Sequence, residues 1–127
     1  MSKNIVILID ADPAVRSSIA FAMGVEGYEV ASYASAADIL ATSDPLEGLC
    51  VLIDHRLPDV DALALLARLR ARGAAMPAVV VTSNPTRRFR QRVKDARALL
   101  LEKPLLGDAL IAMVRRAAGI SNGPLAA

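Results

Sequence analysis

The 127-residue chain has the length of one domain, and its 54% hydrophobic content is enough to bury a sizeable core. Aromatic residues make up only 3% and Trp is absent, so that core must be built from Ala, Val, Leu and Ile. A formal charge of +2 is too small to imply a nucleic-acid partner, the single Cys50 excludes a disulfide framework, and Cys50 with the lone His55 is too few for a zinc site made within one chain.

The Met-Ser-Lys-Asn start is too short and wrongly flanked for a signal peptide, and no run reaches membrane-spanning length, so a soluble cytoplasmic protein is the expectation. The apolar run at 5–9 is the first of five β-type segments; the others lie at 28–33, 49–53, 78–81 and 98–101. The first, third and fourth are almost wholly apolar, as in strands covered on both faces of a parallel sheet. The second alternates, with Tyr28, Val30 and Ser32 against Glu29, Ala31 and Tyr33, and is placed nearer an edge.

Helical patterns fill the intervals. Asp12 before Pro13 reads as an N-cap with Pro at the first helical position. Val15, Ile19 and Met23 form one stripe, and Gly27 stops that helix. Ser35-Ala-Ala-Asp38 resembles a capping box and opens a short helix to about residue 42. Ala62, Leu65, Leu66 and Leu69 share a face of a third helix ended by Gly73. A weaker, very basic helix covers 86–95, and Leu110, Met113, Val114 and Ala117 repeat the helical spacing before Gly119. Strict β–α alternation with short connections predicts an α/β, doubly wound sandwich with a five-stranded parallel sheet. Residues 1–119 are expected to form the domain and 120–127 a frayed tail.

Ligand sites in such sheets lie at the carboxyl ends of the strands. Those ends carry Asp10, Asp54, Thr82-Ser83 and Glu102-Lys103-Pro104. A carboxylate can take a phosphoryl group as an acyl phosphate. The transferring group is highly charged, so a metal ion, a Lys and a hydroxyl donor are needed to hold its oxygens. Mg²⁺ suits such a site because it binds through one or two carboxylates and keeps several waters.

Two phosphate chemistries begin with an acid at the end of a first strand. Asp10-x-Asp12 could supply the nucleophile and general acid of a haloacid-dehalogenase-like phosphatase. Such enzymes need a further acidic metal site after the Lys, where only Asp108 follows, and there is no room for a cap module. The chain resembles a response-regulator receiver domain far more fully, over roughly residues 4 to 118. The resemblance lies in Ile-Asp-Ala-Asp-Pro-Ala-Val-Arg, Asp54-His-Arg-Leu-Pro-Asp59, Val81-Thr82-Ser83 and Glu102-Lys103-Pro104. It implies the flavodoxin-like (βα)5 fold, with Asp54 as phosphoacceptor. It also implies Asp10, Asp54 and the backbone carbonyl of Arg56 as Mg²⁺ ligands, Thr82 as the switch hydroxyl, and Lys103 as the cation beside the phosphoryl group, preceding a Lys103–Pro104 bond that is often cis.

Four places depart from that pattern, one of them the fourth-helix region, which reads Lys94-Asp95-Ala96-Arg97 in place of the usual Lys-Ala-Gly. Ala11 stands where the family places the carboxylate that binds the metal directly, and a methyl cannot coordinate Mg²⁺. Asp12 could replace it, although its role as a cap already accounts for it. Leu100 occupies the position of a switch aromatic on the fifth strand, and the Gly expected after the Asp54-His-Arg-Leu-Pro turn is absent. A weakened Mg²⁺ site is the expectation.

Arg87, Arg88, Arg90, Arg92, Lys94 and Arg97 crowd one short stretch against a single acid, Asp95. They read as a solvated helix face or a partner surface for an acidic protein; no recognition motif favours nucleic acid. His55 reads as a surface or packing residue pointing away from Asp54, Cys50 as a buried inert thiol, and Glu102 as facing away from the pocket, with Leu105 and Leu106 packing on the sheet. The leading reading is a single-domain receiver without an output domain. It is a signalling module rather than an enzyme, limited to self-phosphorylation and self-dephosphorylation. Its expected partners are a histidine kinase or phosphotransfer protein, a downstream protein target and a second copy as homodimer, with no membrane. Two versions remain open: a phosphorylated switch, or a pseudo-receiver acting by contact whatever its phosphorylation state.

Overall fold

The computed structural model describes residues 4–43, 46–105 and 107–119. Ten elements alternate along it: β1 (Ile5–Ile9), α1 (Pro13–Val25), β2 (Glu29–Tyr33), α2 (Ala36–Leu40), β3 (Cys50–Asp54), α3 (Ala62–Ala71), β4 (Ala78–Thr82), α4 (Arg87–Asp95), β5 (Leu99–Glu102) and α5 (Gly107–Ala117). The tail expected at 120–127 and the packing expected of Leu106 lie outside the described residues.

The strands form one parallel sheet in the order β2-β1-β3-β4-β5. β2 is an edge strand, in keeping with its alternating pattern, while every residue of β3 and β4 is buried. Successive side chains point to opposite faces of the sheet. Ile7, Ile9, Val51, Ile53, Ala78 and Val80 therefore pack against α2, α3 and α4 on one side. Val6, Leu8, Cys50, Leu52, Val79 and Val81 pack against α1 and α5 on the other. Leu52 is fully buried, and its replacement by Ala is expected to cost about 2–5 kcal/mol. Cys50 is buried as expected, and burial pushes its thiol up to about 12, which keeps it inert.

The helix starts follow the residue chemistry. Asp12 Oδ1 accepts from the Ala14 amide at 2.9 Å, Ser35 Oγ from Asp38 at 3.1 Å, and Thr86 Oγ1 from Phe89 at 3.0 Å. Each such cap is worth about 1 kcal/mol. Gly27 and Gly73 follow α1 and α3 with φ of +89° and +95°, a conformation that side chains disfavour. The carboxyl ends of β3, β4 and β5 run one residue beyond their apolar segments. Asp54 still stands in register with Val81, and Thr82 with Glu102, so polar side chains close the ladder.

Candidate functional site

The strand order reverses between β1 and β3, and the crevice at their carboxyl ends is where open α/β sheets bind ligands. Ile9 is paired with Ile53, so Asp10 and Asp54 leave the sheet side by side. The Lys103 amide donates to Thr82 O at 2.8 Å and the His55 amide to Val81 O at 2.8 Å, which ties the loops after β5 and β3 to β4. The Lys103–Pro104 bond is cis. Asp54, His55, Arg56, Thr82, Ser83 and Lys103 line a cavity of about 60 Å³, room for several water-sized groups.

Asp54, Asp10 and Thr82 are the buried polar side chains of the described domain. Lys103 Nζ approaches Asp54 Oδ1 to 2.8 Å. No aligned hydrogen bond reaches that buried oxygen, so the contact is charge against charge. Asp54 Oδ2 accepts from the Arg56 amide at 3.3 Å. Burial raises the Asp10 carboxyl above its ordinary range; the Asp54 charge adds to this, while the Asp12 amide and Lys103 oppose it. The Asp12 amide donates to Asp10 Oδ1 at 2.9 Å. Asp12 itself is exposed, with its Oδ1 on the helix cap, and Ala11 is exposed beside it. Arg16 secures this loop by donating to the carbonyls of Asp10 and Ala11 at 2.8 and 3.1 Å.

Among the described residues no three carboxylate, histidine or cysteine groups gather into a ready-made metal cluster. Asp10 and Asp54 nevertheless offer two buried carboxylates, one of them with an oxygen that lacks a hydrogen-bond partner. That donor set fits Mg²⁺, which needs only one or two carboxylates together with waters and phosphoryl oxygens.

A protein-family model described as the response regulator receiver domain matches residues 6–115. The chain belongs to the response regulator receiver family. It is 39% identical over 115 residues to the transcriptional regulatory protein FixJ of Azorhizobium caulinodans, covering 90% of this chain and 54% of that protein. Full-length FixJ from B. japonicum superposes with a TM-score of 0.81 at 30% identity, over 92% of this chain and 58% of that one. A CheY-like receiver domain protein from Methanospirillum hungatei, at 24% identity, shares the fold with a TM-score of 0.83 over 93% of this chain and 95% of that one. This receiver spans about half the length of the FixJ proteins it matches.

His55 packs and points away from Asp54 as expected, since period-two alternation places it on the opposite sheet face, and it makes a polar contact there as well. Its Nδ1 lies 2.9 Å from Thr82 Oγ1, its ring stacks on Phe89 of α4, and it lines the same cavity as Asp54. The alternation that runs from Val51 through Ile53 to His55, and from Val80 to Thr82, was the signal for this pairing.

The receiver's basic stretch forms α4 and the turn after it. Arg87, Arg88, Arg90, Arg92, Lys94 and Arg97 are all exposed. Arg90 pairs with Glu102 at 2.8 Å and Arg92 with Asp61 at 3.4 Å, which accounts for the outward-facing Glu102. Leu100 is half-buried and packs on the same side of the sheet as Phe89. Leu105 joins the α1–α5 side, as expected. No helix among the described residues is long and apolar enough to cross a membrane.

Proposed function

We propose that this receiver takes a phosphoryl group on Asp54 from a histidine kinase or phosphotransfer protein and signals by binding a downstream protein. The observation that carries the reading is the buried Asp54 carboxylate, held 2.8 Å from Lys103 at the wall of a small cavity shared with Thr82. In the transfer, an Asp54 oxygen forms the new bond to phosphorus. The bond from phosphorus to the donor's imidazole nitrogen breaks, and the electron pair leaves with the imidazole. Lys103 neutralises charge on the incoming group, and Thr82 supplies a hydroxyl donor. Asp10, Asp54 and the Arg56 carbonyl would hold Mg²⁺, which when bound offsets the negative charge of the phosphoryl oxygens. With Ala11 in place of a third carboxylate and Asp12 engaged as a cap, the site holds that ion weakly.

The donor reaches Asp54 from the carboxyl edge of the sheet. An apolar groove lies beside it, between Ala14, Val15, Ser18 and Ile19 of α1 and the Lys103-Pro104-Leu105 turn, and it shares Lys103 with the acceptor cavity. The positive face of α4 suits an acidic protein target, or a second copy of the domain through Arg–Glu pairs, in the cytoplasm.

The phosphatase reading has nothing to support it, because Asp12 is a cap rather than a free acid. The test is labelling by acetyl phosphate with Mg²⁺, read by intact mass, with Asp54→Asn as control. A phosphoryl-sized increase that disappears in the variant is expected. No increase at millimolar Mg²⁺ would refute the phosphorylated switch and leave a domain acting by contact alone.

A further inference from the structure

On the α2–α4 side of the sheet, the His55 imidazole makes two contacts at once. Its Nδ1 lies 2.9 Å from Thr82 Oγ1. Its ring stacks on Phe89, with centroids 4.1 Å apart and planes inclined by 24°. Arg92, one turn along α4, holds its guanidinium carbon 5.9 Å from the Phe89 centroid and reaches Asp61 at the start of α3. Thr82 is 2% exposed, so its hydroxyl bonds either to protein or to a group entering the cavity. Leu100 on the same side of the sheet has no polar atom to offer it.

We propose that Thr82 donates its hydroxyl proton to His55 Nδ1 in the unloaded domain. A phosphoryl group on Asp54 then takes over that hydrogen bond, releasing the imidazole and, through Phe89, α4. His55 is thus a positioning residue that links the acceptor cavity to the arginine face. The inference rests on the reading of Asp54 as acceptor. A hydroxyl has one proton to give, so His55 and the phosphoryl oxygen compete for it. The coupling is reciprocal: a partner that holds α4 in its released position strengthens the hold of the cavity on the phosphoryl group. The stacked ring makes a physical chain from Thr82 to Arg92 without a β5 aromatic.

The experiment compares wild type with His55→Ala. Acetyl phosphate labelling with Mg²⁺ gives the rate, and amide resonances of residues 87–95 are followed before and after loading with beryllofluoride. Loss of one competing hydrogen bond should speed labelling of His55→Ala about fivefold. Its α4 resonances should respond to loading by less than half the wild-type change, which a merely structural residue would not cause. An unchanged rate, or an undiminished α4 response, overturns the proposal. If wild type takes no label, the acceptor reading has failed, and the unloaded protein still decides the link. There Thr82→Val must move the His55 ring-nitrogen resonances and the Phe89 amide; resonances that stay in place overturn it.

Discussion

Lys103 Nζ stands 2.8 Å from Asp54 Oδ1, and that oxygen has no hydrogen bond of its own. The ammonium is therefore the main compensation for a buried negative charge. Removing one partner of such a pair leaves the other charge uncompensated. About a third of the Lys103 side chain meets solvent, which screens the contact and reduces the loss. Lys103→Met is expected to lower stability by about 1–2 kcal/mol in urea unfolding. The double variant with Asp54→Asn should lose less than the sum of the singles. Additive losses would show that the two groups do not support each other.

Asp10 has the opposite problem. Burial, and then the Asp54 charge, raise its carboxyl above the ordinary range. An acid raised in the folded state costs stability as pH climbs from its unfolded value through its folded one. Asp10→Asn keeps an oxygen for the Asp12 amide and removes the charge. In metal-free buffer at pH 7 it should raise Tm, because it removes a buried charge. The gain should vanish below about pH 4, where the wild-type carboxyl is protonated. An equal Tm at pH 7 would mean that the carboxylate is better solvated than its burial implies.

Ala11 tests the metal site directly. An aspartate there returns a third carboxylate to a site that otherwise has two. Ala11→Asp should tighten Mg²⁺ binding at least about tenfold in calorimetric titration, and should speed acyl phosphate formation. Equal values in both proteins would show that the ion does not sit beside residue 11.

The fold was legible because local signals agree: apolar strands, capped helices and a Gly after α1 and α3 all point to one alternation. The strand ends named Asp10, Asp54, Thr82 and Lys103, and the register brings Asp54, Thr82 and Lys103 to one cavity, with Asp10 beside it. What could not be read is the chemistry carried across large sequence gaps. Ser35 caps α2 as its capping-box pattern predicts, but the amides of Ala36 and Ala37 donate to Asp59, 23 and 22 residues away, which no local pattern shows. His55 looked bland because neither Thr82 nor Phe89 is near it in sequence. Strand ends fell one residue short at Asp54, Thr82 and Glu102, since polar residues can close a ladder that hydropathy has already left.

Asp59 makes a pH prediction. Its carboxyl is lowered chiefly by the hydrogen bond from the Ala37 amide, at 2.8 Å, and further by that from Ala36. A depressed folded value contributes stability that is present above the unfolded value near 4 and lost as pH falls through the folded one. Asp59→Ala should therefore lower Tm at pH 7, with the difference shrinking as pH drops toward 3. A difference that stays constant across this range would exclude the charge as its cause.

Arg70 shows how α3 holds α4 in place. Its guanidinium donates to Ala96 O and, at 2.9 Å, to Arg97 O, just past the end of α4, where Arg97 adopts a left-handed φ of 56°. A cation at a helix carboxyl end satisfies carbonyls that have no helical partner and opposes the helix dipole. The planar fork suits two adjacent carbonyls, whereas an ammonium acts as a point charge. Arg70→Ala should cost about 1–2 kcal/mol in chemical unfolding, and Arg70→Lys should recover less than half of it. The amides of Ala96 and Arg97 should exchange faster with solvent in Arg70→Ala, while those of β1 and β3 keep pace with global unfolding. Full recovery by lysine would mean that charge alone, and not the fork, secures the end of α4.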